Sequence, residues 1–206
     1  MALTTYAELQ TSIAEFLNRD DLTAKIPDFI TLAEAQMNAE LRHWRMEKRA
    51  TASLDSQYTA VPTDFIQPVR FAITGSQISS LSQTDSKTIT DLRAANNNAS
   101  GRPTEYTIID GSIEVFPTPD TTYTLEILYY ENLDALNNAN TSNWVLQYYP
   151  NAYLYGSLLH SAPYLMEDQR IQTWGAFYRK AIDDINFDAV KSKTAADGRR
   201  IKIRSY

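Results

Sequence analysis

The chain has 206 residues, 43% of them hydrophobic, and a formal net charge of −6 at pH 7. This length can bury one sizeable core, so we expect one domain, or one domain with an insertion. The absence of cysteine excludes disulfides and thiolate metal sites, and the chain lacks the apolar run of roughly 20 residues that a membrane span requires. We also find no signal-peptide pattern after Met1, and we expect a soluble protein.

Residues 1–48 are predicted to form two helices. Thr5 and Glu8 have the spacing of a capping box, and apolar residues then recur every three or four positions. In the second helix Pro27 suits the first turn, where Asp28 also favours the positive end of the helix dipole. Its apolar stripe comprises Ile26, Ile30, Ala33, Met37, Leu41 and Trp44. This stripe predicts that the second helix continues through Trp44.

Residues 49–140 show the alternation typical of strands. Asp110-Gly111 separates two alternating runs and therefore predicts a hairpin turn. In the next run Leu125 and Ile127 share a face, while the PTPD segment at 117–120 should form a bend because proline cannot donate to a ladder. Other strands are predicted at 50–54, 58–61, 65–73 and 76–81, and a short helix lies between residues 83 and 95.

Residues 141–193 return to the helical pattern. Pro150 should restart or kink the first of two helices and Pro163 should end it. Glu167 and Asp168 are predicted to begin the next helix, whose apolar residues keep three-and-four spacing as far as Ala189. The fold class is therefore α+β, with N-terminal and C-terminal helix pairs packed on one another and a β module projecting from them.

The residues indicate no catalytic, metal or cofactor site. His43 and His160 are interpreted as residues at the core edge or at a helix cap, since the usual ligand spacings are missing. Adjacent carboxylates such as Asp183-Asp184 do not converge on one helix face. Nucleophile-elbow, phosphate-loop, dinucleotide-binding and zinc-protease strings are all absent.

An ordered series of segments resembles the adaptor, or head-to-tail connector, proteins of tailed bacteriophages. The series runs through IPDFITLAEAQMNAELR, GRPTEY, a DG turn, IEVFPTPD, YTLEILYY and NWVLQYYPNAYLYGSLLHSAPYLMED. It extends to about residue 190, and its specificity lies in the order of the segments. The resemblance implies an antiparallel helical bundle of N-terminal and C-terminal helix pairs, with a small antiparallel β-sandwich inserted between them.

The resemblance also implies a structural role in the virion neck, after assembly in the host cell cytoplasm. A ring of about twelve copies would dock beneath the portal protein and extend the DNA channel, as expected for closed heterologous assemblies. Its lower surface would meet the next tail or nozzle protein, and genomic DNA would pass without sequence-specific binding. The charge fits a channel, because an acidic wall lets DNA slide. Such a protein is not an enzyme and has no membrane partner.

Residues 194–206 are predicted to form a basic tail that binds the portal. Residues 191–206 hold six basic residues and one acidic residue, which leaves 13 basic and 24 acidic residues in the rest of the chain. The side chains alternate between apolar and basic, as in an extended segment that adds to an edge or fills a groove; a merely solvated tail is the plain alternative. The candidate portal-binding residues are Arg199, Arg200, Ile201, Lys202, Ile203, Arg204 and Tyr206.

A carbohydrate- or host-surface-binding β-sandwich protein is the alternative function. Tyr106, Tyr123, Tyr129 and Tyr130 would form its stacking platform. Tyrosines on alternating strands are more often half-buried packing residues, and the helices on either side pair with one another, so a separable sugar-binding module is disfavoured.

Overall fold

A computed structural model describes residues 3–19, 21–75, 77–165 and 170–193. Within these ranges it contains six α-helices and eight strands, which confirms the α+β class. The helices are α1 (Tyr6–Leu17), α2 (Ile26–Glu40), α3 (Ser86–Ala95), α4 (Trp144–Tyr148), α5 (Pro150–Leu165) and α6 (Ile171–Lys193). The strands are β1 (Glu47–Leu54), β2 (Tyr58–Ala60), β3 (Phe65–Thr74), β4 (Ser79–Ser80), β5 (Ser82–Gln83), β6 (Glu105–Ile109), β7 (Ser112–Phe116) and β8 (Tyr123–Glu131).

The chain folds into two compact units. The helical unit contains the chain up to Arg45 and from Leu133 onward, and the sheet unit is Met46–Asn132. Five helices lie in the helical unit, whereas α3 lies in the sheet unit.

The first two helices begin as predicted, but the second ends earlier. Thr5 and Glu8 form the capping box at the start of α1. Pro27 occupies the first turn of α2, which ends at Glu40 because Leu41 adopts an extended conformation, with φ −89° and ψ 136°. The prediction of helix through Trp44 is therefore wrong. Leu41 is nevertheless fully buried, so the apolar spacing continues beyond the helix.

The helix that contains Pro163 also differs from its prediction. Pro163 does not end α5, which continues to Leu165. Proline lacks the N–H that would bond to the carbonyl four residues earlier, and α5 continues for two described residues despite this loss. The predicted start of the next helix at Glu167 and Asp168 lies outside the described residues.

Three helices of the helical unit meet at a glycine. A Cβ atom at Gly156 in α5 would lie 3.2 Å from the Cβ of Ala33 in α2 and 3.1 Å from the ring of Tyr178 in α6. Glycine therefore permits a backbone approach that a larger residue would obstruct.

The sheet unit contains two four-stranded sheets. The strand orders are β1-β8-β3-β4 in the first sheet and β2-β7-β6-β5 in the second, and all pairs are antiparallel except β5 with β6. The chain crosses from the first sheet to the second at Leu81, so the single strand predicted at 76–81 is replaced by β4 and β5. Buried side chains of both sheets form one core, which includes Leu125 and Ile127 as predicted.

The predicted hairpin is confirmed. Asp110 and Gly111 form the two-residue loop between β6 and β7, with φ of 47° and 68°. Positive φ at both positions is the geometry of the turn that matches strand twist.

An arginine fixes α3 to the second sheet. The guanidinium of Arg93 lies 3.3 Å from the carboxylate of Glu114 and donates to the carbonyl of Val115 and to the Thr118 hydroxyl. Arg93 and Glu114 are both largely buried, and the additional acceptors compensate the cost of removing the guanidinium from water.

Candidate interaction surface

An arginine lies between two exposed aromatic rings on the helical unit. The guanidinium carbon of Arg45 is 4.7 Å from the ring centroid of Trp44 and 4.2 Å from that of Tyr148. The two aromatic residues are 42% and 57% exposed. Both distances fall within the range of cation–π attraction, so the rings hold the guanidinium in a defined orientation at the surface.

A buried histidine contacts both Trp44 and the backbone of Arg45. The ring of His43 is fully buried, 5.3 Å from the ring of Trp44 and 4.8 Å from that of Trp144, on which it stacks. Its Nδ1 accepts a hydrogen bond from the backbone N–H of Arg45, at 3.2 Å. The ring proton of the neutral tautomer is then on Nε2, which faces Asp188 Oδ2 at 3.5 Å.

The same carboxylate connects α6 to the support. The hydroxyl of Tyr149 donates to Asp188 Oδ2 at 3.1 Å, and its ring meets that of Trp144 edge-on. Burial, and then the nearby Asp188 carboxylate, raise the pKa of Tyr149, so the hydroxyl remains a donor.

The aromatic–arginine ladder is the name used here for five side chains in consecutive contact, Trp144, His43, Trp44, Arg45 and Tyr148. Trp44 and Arg45 lie in a short 3₁₀ turn, and α4 begins at Trp144 and ends at Tyr148. The Asn143 side chain caps α4 by accepting from the N–H of Leu146 at 3.0 Å. The 3₁₀ turn therefore fixes the backbone of Trp44 and Arg45, and α4 fixes that of Trp144 and Tyr148.

The ladder has the chemistry of a protein-binding hot spot. Tryptophan, tyrosine and arginine are the residues most enriched where protein interfaces concentrate their binding energy. Among the described residues, no carboxylate forms an ion pair with Arg45. A carboxylate or carbonyl of a partner fits this oriented guanidinium.

The sequence alone does not reveal this surface. The apolar stripe places Trp44 at the end of the second predicted helix, and residues 141–193 are predicted only to be helical. About one hundred residues separate HWR from WVLQYY, and no local pattern predicts that they meet. The available signal was the density of tryptophan, tyrosine and arginine in these two short segments.

The sequence-predicted site residues have different outcomes. All seven candidate portal-binding residues, Arg199 to Arg204 and Tyr206, lie outside the described residues. His160 Nε2 is 2.9 Å from Gln36 Oε1 in the helical unit, and burial lowers the pKa of this histidine. Within the described ranges, no group of three or more His, Asp or Glu side chains is placed to hold a metal ion.

The tyrosine platform of the alternative function does not form. Tyr106 and Tyr129 are buried in the core of the sheet unit, with 4% and 1% exposure. The Tyr129 hydroxyl donates to Asp64 at 2.8 Å, and burial raises the pKa of Tyr129 to about 12. Two of the four proposed stacking rings are therefore inaccessible to a sugar.

A buried carboxyl holds the segment Leu133–Asn143, here called the return segment, on α2. Glu34 Oε1 accepts from the N–H of Leu136 at 2.8 Å and from the hydroxyl of Tyr153 at 3.0 Å. One turn later, Asn38 Oδ1 accepts from the N–H of Leu133 at 2.8 Å. Burial raises the pKa of Glu34 more than these hydrogen bonds lower it.

Glu34→Gln is expected to preserve folding, whereas Glu34→Ala should cost about 1–3 kcal/mol by leaving two buried donors without an acceptor. A raised folded-state pKa stabilises the protein fully below the unfolded-state pKa, and this contribution is lost as pH rises through the folded-state pKa. The stability of Glu34→Gln relative to the natural chain should therefore increase with pH. Urea denaturation between pH 4 and pH 8 measures the difference, and parallel profiles would contradict the role of Glu34.

No helix in the described part of the chain is long and apolar enough to cross a membrane. A family model described as SU10 adaptor protein matches residues 4–202, nearly the whole chain. The search of curated proteins found no significant match.

Proposed function

The chain belongs to the SU10 adaptor protein family, and from this premise we propose that it is a structural, non-enzymatic protein of a phage neck. A ring of about twelve copies joins the portal to the tail or nozzle and extends the DNA channel, with the closed symmetry of heterologous interfaces. The match over residues 4–202 carries the proposal, because it includes both units.

The aromatic–arginine ladder supplies the contact between neighbouring copies in this proposal. Outside the basic C-terminal segment the chain has 24 acidic and 13 basic residues, so an adjacent copy offers many carboxylates to Arg45. The exposed rings of Trp44 and Tyr148 contribute apolar area around that ion pair. Tryptophan, tyrosine and arginine together give an interface more energy than their area alone.

The sheet unit is a small β-sandwich in this proposal, inserted into a helical bundle. Support comes from the single core shared by the two sheets and from the position of Met46–Asn132 between the two halves of the helical unit in the sequence. The acidic excess lets genomic DNA pass through the ring without binding, because like charges repel.

Deletion of residues 198–206 tests the proposed portal contact. The truncated chain should fold, because the described core residues lie between Tyr6 and Ala189, yet it should no longer co-sediment with portal rings. Ile201 and Ile203 would each contribute roughly 1.5–3 kcal/mol if fully covered by the portal. The experiment mixes purified portal with the full or truncated chain and follows sedimentation and circular dichroism.

A charge-matched control uses the full-length chain with Ile201→Ser and Ile203→Ser. This variant keeps every basic residue, so it separates the apolar contribution from simple attraction to an acidic portal. Unchanged affinity of the truncated chain would remove the tail from the portal contact. Failure of the intact chain to bind portal at all would overturn the adaptor function itself.

A further inference from the structure

The sheet unit has one long edge and three short ones. The outer strands β4, β2 and β5 contain two, three and two residues, whereas the outer strand β1 contains eight. Proteins commonly shorten, bend or charge their sheet edges, because unpaired backbone groups recruit other strands. The length of β1 therefore stands out within this unit.

The edge of β1 is regular along its length. Its eight residues pair with β8 in continuous register, and the strand contains no proline or glycine. By contrast, β3 has two register shifts and includes Pro68. From Lys48 to Leu54, no backbone hydrogen bond with described residues occurs beyond the ladder to β8. Every second residue thus directs its N–H and C=O away from the sheet.

The two faces of β1 would meet different side chains on an added strand. Ala50 and Ala52 lie half-buried against the core, and their small side chains leave room for larger apolar residues beside them. On the opposite face Arg49, Thr51 and Ser53 are exposed.

The exposed face of β1 carries the basic side chain of Arg49 near the start of the strand. The side chain of Arg49 is 68% exposed and lies 3.4 Å from Glu126, a carboxylate that Arg70 also contacts. Two arginines thus share one carboxylate, and an acidic residue on an added strand would complement them.

We propose that the edge of β1 binds an extended segment of another protein, which adds as a ninth strand with alternating large apolar and acidic residues. The apolar residues extend the core beside Ala50 and Ala52, and the acidic residues face Arg49. Backbone bonds provide affinity and the alternation provides specificity. This site is independent of the proposed ring and of the portal contact.

The strands that the structure describes do not supply the added strand. All eight strands of the described residues are already paired within the two sheets. The segment 200–204 alternates basic with apolar residues, so pairing it with β1 would place like charges next to Arg49. Charge complementarity therefore selects a different protein as the occupant.

The probe is a capped seven-residue peptide of alternating valine and glutamate, titrated into isotopically labelled full-length protein. We expect amide chemical-shift changes concentrated at Lys48–Leu54. A peptide with lysine in place of glutamate, and one with alternate backbone nitrogens methylated, should each bind about tenfold more weakly or not at all. Equal binding of the methylated peptide, or shifts elsewhere without shifts in β1, would overturn the proposal.

Proline substitution identifies the outward donors. Of Thr51→Pro and Ala52→Pro, one removes a bond to β8 and lowers the melting temperature, while the other removes only an outward N–H. The variant that keeps its melting temperature should lose peptide binding. Ala60→Pro in the three-residue edge β2 is the matched control and should bind normally, because the N–H of Ala60 points away from β7, between the ladder-bonded Thr59 and Val61. Full peptide binding by the β1 variant that keeps its melting temperature would also refute strand addition.

Discussion

Ile127→Asp is expected to unfold the sheet unit. Ile127 is 1% exposed at the centre of β8, opposite Ala50 in β1 and Phe71 in β3. A carboxylate there would be buried without a partner, at a cost of several kcal/mol, which is a large part of the 5–15 kcal/mol that typically stabilises a folded protein. The first sheet would lose one of its two inner strands, and the core shared by both sheets would lose the side chains of that strand.

The control lies three residues away on the same strand. Thr124 is exposed, beside Ser53 and Thr74 on the outer face, so Thr124→Lys should change stability by less than about 1 kcal/mol. Thermal melts followed by circular dichroism compare the two variants. Equal destabilisation would show that the facing assigned to β8 is wrong.

Fluorescence can separate the two units in the same melts. The chain has three tryptophans, Trp44, Trp144 and Trp174, and all lie in the helical unit. If Ile127→Asp unfolds only the sheet unit, the strand signal is lost at low temperature while the tryptophan emission keeps its native maximum. Simultaneous loss of both signals would indicate that the helical unit requires the folded sheet unit.

The sequence predicted features that depend on neighbouring residues. The capping box at Thr5, the turn at Asp110-Gly111 and the buried face of β8 follow from spacing and from the φ angles that residues tolerate. These features depend on only a few neighbouring residues, so they do not depend on the rest of the fold. The family resemblance, carried by the order of these elements, is likewise confirmed.

Predictions failed where tertiary contacts override local preference. The apolar spacing predicted that the second helix includes Leu41. That residue is buried as the spacing requires, but its backbone is extended. Pro163 was predicted to end α5 because proline is disfavoured inside helices, yet α5 continues to Leu165. Burial and helix extent are separate properties, and periodicity reports only the first.

The aromatic–arginine ladder is a stronger example of the same limit. His43 has ordinary neighbours in sequence, and its roles as a stacking partner for Trp144 and an acceptor for the N–H of Arg45 exist only in the folded unit. The histidine is consistent with the predicted core-edge role. The sequence did not show that the 3₁₀ turn and α4 lie side by side in the folded unit.

Arg45 is expected to contribute much less to folding stability than to assembly, so a variant can distinguish the two contributions. An exposed cation–π contact contributes about 0.5–1 kcal/mol to folding, whereas truncating an interface hot spot costs 2 kcal/mol or more. Arg45→Ala should therefore melt close to the natural chain while its assembly weakens about thirtyfold or more, since 1.4 kcal/mol corresponds to tenfold. Sedimentation velocity on portal rings, across a range of chain concentrations, measures that loss.

Two further variants distinguish an oriented guanidinium from a mere positive charge. Arg45→Lys keeps the charge but loses the planar group that stacks between Trp44 and Tyr148, so it should recover little of the assembly. Lys180→Ala removes an exposed charge of α6 and should assemble normally. If Arg45→Lys assembled as well as the natural chain, the ladder would act through net charge alone. If Arg45→Ala also did so, the ladder would be a structural feature of the helical unit, and the contact between copies would have to lie on another surface.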